Sequence, residues 1–218
     1  ATTSWRSVGT VVHPFCLADK AGSDVWRHYL MSTTATGQDA DFSEERLVER
    51  YNADLANSLG NLLNRTLNMA HRYRDGRLVI SKDGGLLLAR ADYFAKAFKF
   101  CMSEFSVDAA IAKTMGLATE ANQFIERTAP WKLAKQNESA DLESALYHLA
   151  ESLRIIAILI SPVLPKAAHG IFDQLNWKMG SSGKEERFSL ADAEWGRLPD
   201  GHVVGKPVPL FPRIEISA

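Results

Sequence analysis

Cysteine is scarce in this sequence, with two in 218 residues, Cys16 and Cys101, and no Cys-x-x-Cys pair. That excludes a disulfide framework and a thiolate zinc site built from this segment, and it suits a reducing compartment. Two small buried apolar side chains are the plain reading of both. No basic block followed by an apolar block opens the chain, which starts Ala1-Thr2-Thr3-Ser4-Trp5, so no secretory leader is expected. Long apolar runs are missing too. The longest, Ile155-Ile156-Ala157-Ile158-Leu159-Ile160, lies between Arg154 and Ser161-Pro162 and is far too short to span a bilayer, so it reads as buried helix. A surplus of one charge is also lacking. The 25 basic and 26 acidic residues leave a net charge of −1, which argues against a general polyanion binder and makes any nucleic-acid site a local patch.

Catalytic machinery is equally thin. The segment has no βαβ pattern, no glycine-rich phosphate loop and no GxGxxG, so nothing in it is expected to cradle ATP. The six histidines (His13, His28, His71, His148, His169 and His202) form no HExxH or His-x-x-x-His pattern, and surface or core duty fits them better than ligation. No nucleophile–base set stands out, and no metal site is expected.

What the sequence does have is helical periodicity. Gly22 to Met31 reads as one short helix with Ser23 as its cap. Asp41-Phe42-Ser43-Glu44 opens a second, capped by Asp41 or by Ser43. From there to about Tyr73, Leu47, Val48, Tyr51, Leu55, Leu59 and Leu62 recur at three- and four-residue steps, with Gly60 the one interruption. Arg74-Asp75-Gly76 stops that helix. Further helices are expected from about Asp92, from Ser106 or Asp108 to Pro130, from Leu142 to Ile160, and from Lys166 to Leu175. Gly180 to Lys184 reads as a loop. The tail from Gly196 to Ile216 has four prolines among Val203, Val204, Val208, Leu210, Phe211 and Ile214, so it should lie extended on another surface. The expected class is all-α, a helix bundle with an irregular N-terminal segment (1–40), a bundle proper (41–178), and a loop with an extended C-terminal peptide packing back on the rest (179–218).

Two features in this bundle are anomalous. Asn57, Asn61 and Arg65 fall at i, i+4 and i+8, so they share one helix face. Asparagine competes for backbone hydrogen bonds inside helices, so two in a stripe ending in a planar guanidinium suit the reading of base edges. The plainer alternative is a polar face packed on a loop, with Asn61 satisfying a buried carbonyl. His71, Arg72, Arg74 and Arg77 then make the end of the helix basic, suited to phosphates. Trp131 follows Pro130 where the helical pattern breaks, beside Arg127, Lys132 and Lys135. An aromatic among cations can stack an unpaired base, and a core tryptophan is the alternative.

Longer stretches carry a resemblance. Asp39-Ala40-Asp41-Phe42-Ser43-Glu44-Glu45, Tyr51 to Asn57 and Leu59 to Thr66 resemble the opening anticodon-domain helix of the methionyl-tRNA synthetases. Ile125 to Trp131 is similar to that family's Pro-Trp segment, Leu146 to Pro162 to its penultimate helix, and Gly205 to Ile214 to its closing peptide. The resemblance implies a class I anticodon-binding bundle in which Asn61, Arg65 and Trp131 read the CAU anticodon of tRNA(Met), with Asn57 as a second-tier contact; Arg72, from the basic end of the helix, is a further RNA-binding candidate. It also implies a cytoplasmic methionine–tRNA ligase that uses ATP with magnesium in a catalytic domain of the same enzyme. No cofactor is expected in this segment, and neither a membrane nor DNA as a partner. The N-terminus departs from the pattern. The family's Lys-Met-Ser-Lys-Ser loop would fall on Thr3-Ser4-Trp5-Arg6-Ser7, which contains neither lysine. Either that loop has decayed or the first residues belong to a fragment boundary. A free-standing tRNA-binding or regulatory module derived from such an enzyme is the alternative function.

Overall fold

Ser43 starts the longest helical rod. Its backbone is extended and its hydroxyl accepts the Arg46 amide, which satisfies one of the free donors of the first turn. A computed structural model describes residues 22–39, 42–81, 85–136, 138–177, 181–182, 185–186 and 189–215. Cys16, Asp41 and the segment aligned with the lysine-rich loop lie outside them. Ahead of the rod, α1 (Ser23–Thr33) begins after Gly22 without a side-chain cap. Ser23, the cap expected from the sequence, is therefore the first helical residue. The rod comprises α2 (Glu44–Arg50), a wider-wound π-helical stretch (Tyr51–Gly60) and α3 (Asn61–Arg74). π winding of this length is rare, and shorter π turns are common at functional sites. Asp75 ends α3 in the left-handed region at φ 52°, and the Gly76 amide caps the Ala70 carbonyl at 3.0 Å.

Next come α4 (Leu86–Ser103), α5 (Val107–Thr128), α6 (Pro130–Lys135), α7 (Ser139–Ile160) and α8 (Pro165–Gln174). Helix α4 begins six residues before the expected Asp92. Leu86-Leu87-Leu88-Ala89 are strong helix formers, and buried Leu87 anchors the first turn. Residues Ser181–Ser182 (β1) and Glu185–Glu186 (β2) form a two-rung antiparallel pair where a plain loop was expected. A single 3₁₀ turn, Leu190–Ala193, follows.

Helix α7 is the axis of the bundle. From Ala145 to Ile160 every residue is buried, which its apolar sequence requires of a helix wrapped on all sides. Two of those residues are charged. Glu151 and Arg154 are fully buried and paired at 2.8 Å, and together they grip the chain after the 3₁₀ turn. The carboxylate accepts the amides of Gly196 (3.1 Å) and Leu198 (2.6 Å), while the guanidinium donates to the carbonyls of Asp192 and Glu194. Helix α1 is fastened to the α7–α8 corner: Asp24 accepts the Ala167 amide at 2.9 Å, and Arg27 donates to the carbonyls of Val163 and Pro162.

The tail crosses the bundle as an extended strap. Leu78 and His202 join backbones at 2.7 Å, and Gly205 and Val208 donate to the Gln174 carbonyl and side chain. Farther along, Tyr51 donates to the Pro212 carbonyl at 2.6 Å and Asn52 exchanges two hydrogen bonds with Ile214. The strap lies close against Gly60 and Gly170, and only at Gly170 does it need the missing side chain. A Cβ on Gly60 would stand 3.4 Å from the Phe211 ring, and one on Gly170 would stand 2.5 Å from Leu210.

Candidate nucleic-acid interface

The rod presents its polar stripe to α5. Asn57, Asn61 and Arg65 line one wall of an open groove of about 370 Å³, with Thr119, Asn122, Gln123 and Glu126 opposite. The i, i+4, i+8 spacing therefore does bring the three side chains together, even across the change from π to α winding. Asn57 and Asn61 are exposed, and among the described residues neither side chain has a hydrogen-bond partner. The alternative in which Asn61 satisfies a buried carbonyl is not what the fold adopts. Asn122, by contrast, donates to the carbonyls of Ser58 (3.2 Å) and Ala118 (3.0 Å), stitching the π stretch to α5, and its Oδ1 is buried without a partner.

Trp131 comes up beside Arg65 from another element. Proline has no amide hydrogen and disfavours helical backbone in the residue before it. Ala129 accordingly leaves α5 and turns the chain at φ 43°, an uncommon conformation for a residue with a Cβ. Pro130 then starts α6, with Trp131 on its first turn. The indole is half-buried, one part packed on the bundle and the rest in solvent, so it is neither a pure core residue nor a free one. The Arg65 guanidinium lies 5.9 Å from the centre of its ring and also bonds Glu126 at 2.7 Å. Glu126 is largely exposed, so this ion pair is weak and can yield to a ligand. The groove supplies a planar fork of donors and two free amides, and the Trp131 indole stands beside that fork, next to the groove and not in its lining, which together is equipment for an unpaired base.

The basic end of α3 is only partly available. Arg74 is spent on Glu143 (3.0 Å) and on two carbonyls, and His71 bonds the Gly205 carbonyl at 2.8 Å. Arg72 is exposed over the Tyr73 ring, two turns beyond Arg65, and does not line the groove. The cations beside Trp131 divide similarly, with Arg127 directed to Glu120 at 3.9 Å. Sequence reading missed Asn122, Gln123 and Glu126 as groove residues. Only the packing of α5 on the rod brings them opposite, and no local pattern announces it.

Two family descriptions match the chain. "tRNA synthetases class I (M)" covers residues 4–67, and "Anticodon binding domain of methionyl tRNA ligase" covers residues 81–217. The chain belongs to the methionyl-tRNA ligase family. Among its relatives, the methionine–tRNA ligase of Lactiplantibacillus plantarum is 40% identical over 222 residues, 98% of this chain and 32% of the relative. That of Thermosynechococcus vestitus is 33% identical over 220 residues, 98% of this chain and 42% of the relative. The Mycobacterium tuberculosis methionyl-tRNA synthetase in complex with methionyl-adenylate superposes with a TM-score of 0.86 at 32% identity, over 95% of this chain and 41% of that one. The chain thus spans about a third of the length of the first of these relatives and about two fifths of the other two. The all-α bundle is that of the methionyl-tRNA ligase anticodon-binding domain. Because the class I match begins at residue 4, the position of the lysine-rich loop lies almost wholly within it.

Proposed function

We propose that this chain reads the CAU anticodon of tRNA(Met) as the recognition part of a methionine–tRNA ligase. The observation that carries the proposal is the meeting of Arg65 and Trp131, from two separate elements, at the end of a groove lined by unpartnered Asn57 and Asn61. In this reading Trp131 stacks on a splayed anticodon base. Asn61 and Arg65 hydrogen-bond that base's edge, Asn57 supports them, and Arg72 meets the backbone farther along. Attachment of methionine, with ATP and magnesium, belongs to the catalytic domain of the same cytoplasmic enzyme. The bundle contributes by placing the tRNA.

The test is binding of short anticodon stem-loop RNAs, followed by fluorescence anisotropy. Trp131→Ala should weaken the cognate CAU loop by roughly 5- to 150-fold, the ~1–3 kcal/mol of one stacked base, and leave a scrambled loop almost unchanged. Arg65→Lys keeps the charge but removes the planar fork, so discrimination should fall with it. Equal weakening of cognate and scrambled loops by Trp131→Ala would sink the proposal.

A further inference from the structure

A separate concavity lies on the flank of the bundle formed by α4, α7 and the segment of the 3₁₀ turn, and it shares no lining residue with the reading groove. It holds about 310 Å³, within the range of small-molecule sites. Leu88 and Ala95 from α4 and the buried Ile155 from α7 form an apolar floor, and Leu190, Ala193 and Trp195 form the opposite wall. Leu190 is 44% exposed, an apolar side chain left to water at the edge of an apolar hollow.

That wall is held in place and does not settle onto α4. Arg154, fully buried in α7, donates to the carbonyls of Asp192 and Glu194 from behind, which ties the end of the turn to the core. The Ser189 hydroxyl accepts the Ala191 amide at 3.2 Å and starts the turn, and the Trp195 ring is braced edge-on against His148 at 5.6 Å. A preformed apolar hollow costs a ligand little ordering of the protein, so most of the burial gained shows as affinity.

The charges around the hollow select what it takes. Asp92 accepts Lys96 at 2.7 Å, one turn along α4, and Glu194 pairs with Arg197. Lys99 is exposed and has no carboxylate partner among the described residues. Both acids are thus matched within their own segments, and the unmatched charge is a single ammonium beside an apolar cavity. Its complement is a molecule with an apolar body for Ile155 and Trp195 and one carboxylate for the Lys99 Nζ.

We infer that this cavity is a binding site for a small amphipathic carboxylate, an acyl chain or an aryl ring ending in one carboxylate group. The site is independent of the RNA reading, because the cavity and the groove stand on different elements of the bundle.

The experiment titrates the ¹⁵N-labelled 218-residue chain with octanoate and with 3-phenylpropionate and follows the indole N–H signals by NMR, that of Trp195 being assigned with Trp195→Phe. The expected result is a saturable shift of the Trp195 signal, with that of Trp131 unmoved; the tighter of the two acids tells whether the body is acyl or aryl. Octylammonium, the same chain with the opposite charge, should bind roughly three- to tenfold more weakly than octanoate. Lys99→Ala, an exposed change that leaves the fold intact, should weaken octanoate roughly two- to fivefold and leave octan-1-ol unaltered. Ala95→Phe puts a ring into the cavity and should abolish the shift; circular dichroism checks its fold, and Lys99→Ala decides the matter if that variant does not fold. The inference is overturned if neither acid moves the Trp195 signal to saturation, or if octylammonium binds as tightly as octanoate and Lys99→Ala changes nothing.

Discussion

Replacing Glu151 by alanine should unfold this protein more readily than any surface change near the groove. The carboxylate and Arg154 are both fully buried in the middle of α7, and Glu151 has four donors around it: the Arg154 Nε and Nη2 and the amides of Gly196 and Leu198. Nearby, burial and then the Glu151 charge push the Tyr147 phenol up to about 12, so it stays protonated and donates to the Leu198 carbonyl. Alanine removes the negative partner and leaves the guanidinium with two carbonyls and the Trp177 ring, 5.5 Å away. An uncompensated buried charge of this kind costs about 3–5 kcal/mol, and the two amides lose their acceptor as well. Urea unfolding measured by circular dichroism gives the number. Native-state hydrogen exchange should show the Gly196 and Leu198 amides released first, because the pair fastens that segment. Replacing both Glu151 and Arg154 by methionine should cost less than the single change, since no charge is then stranded. A Glu151→Ala loss below 1 kcal/mol, or a double variant worse than the single one, would show that the pair is not the clamp described.

His28 is buried under the rod with its Nε2 unpartnered, and burial first, then the Arg50 charge, lowers its pKa to about 4. Its contact with Asp54, at 3.6 Å, is consequently no ion pair at neutral pH. The unfolded chain takes up this proton near pH 6.5 and the folded chain only near 4. Stability is therefore complete above 6.5 and falls by about 3 kcal/mol as the pH drops to 4. Burial raises the Asp54 carboxyl, which works in the opposite sense at the acid end. Urea midpoints at several pH values should show the decline, and His28→Gln should flatten it. Asp24→Ala should cost about 1 kcal/mol, or 2–4 °C in Tm, by uncapping Ala167 at the start of α8, with Asp24→Asn milder. Glu126→Gln, removing a partner that is mostly exposed, should change Tm by less than about 2 °C.

The helices were legible wherever one face was apolar and the ends were marked. Leu47 to Leu62, Leu142 to Ile160 and the prolines at 130, 162 and 165 all announced elements that the fold contains. The start of α4 was not, because Leu86 to Ala91 carries no cap, and propensity together with the burial of Leu87 and Ala91 decides it. Nor was the π winding of Tyr51–Gly60, since a face of Tyr51, Leu55 and Leu59 at steps of four suits either helix. Asn61, Arg65 and Trp131 could be singled out as residue types in odd places, yet only tertiary packing sets the guanidinium beside the indole and Glu126 behind it.

A net charge of −1 is compatible with the RNA reading proposed above because the arginines that line or adjoin the groove side of the rod are partly neutralised. Arg50, Arg65 and Arg74 each face a carboxylate, while Arg46, Arg72, Arg77 and Arg213 face none among the described residues. A protein that neutralises only a few phosphates releases few counterions and gains little non-specific affinity. Discrimination must then come from contacts that any one base either satisfies or leaves unpaired: the Trp131 ring, the Arg65 fork and the amides of Asn57 and Asn61. Weak general attraction is an advantage for such a reader, since every tRNA has the same backbone and differs at the anticodon. The Glu126 contact strengthens that logic. It orients Arg65 beside the ring while remaining weak enough to yield, so the planar fork is presented and can be handed over to a base edge.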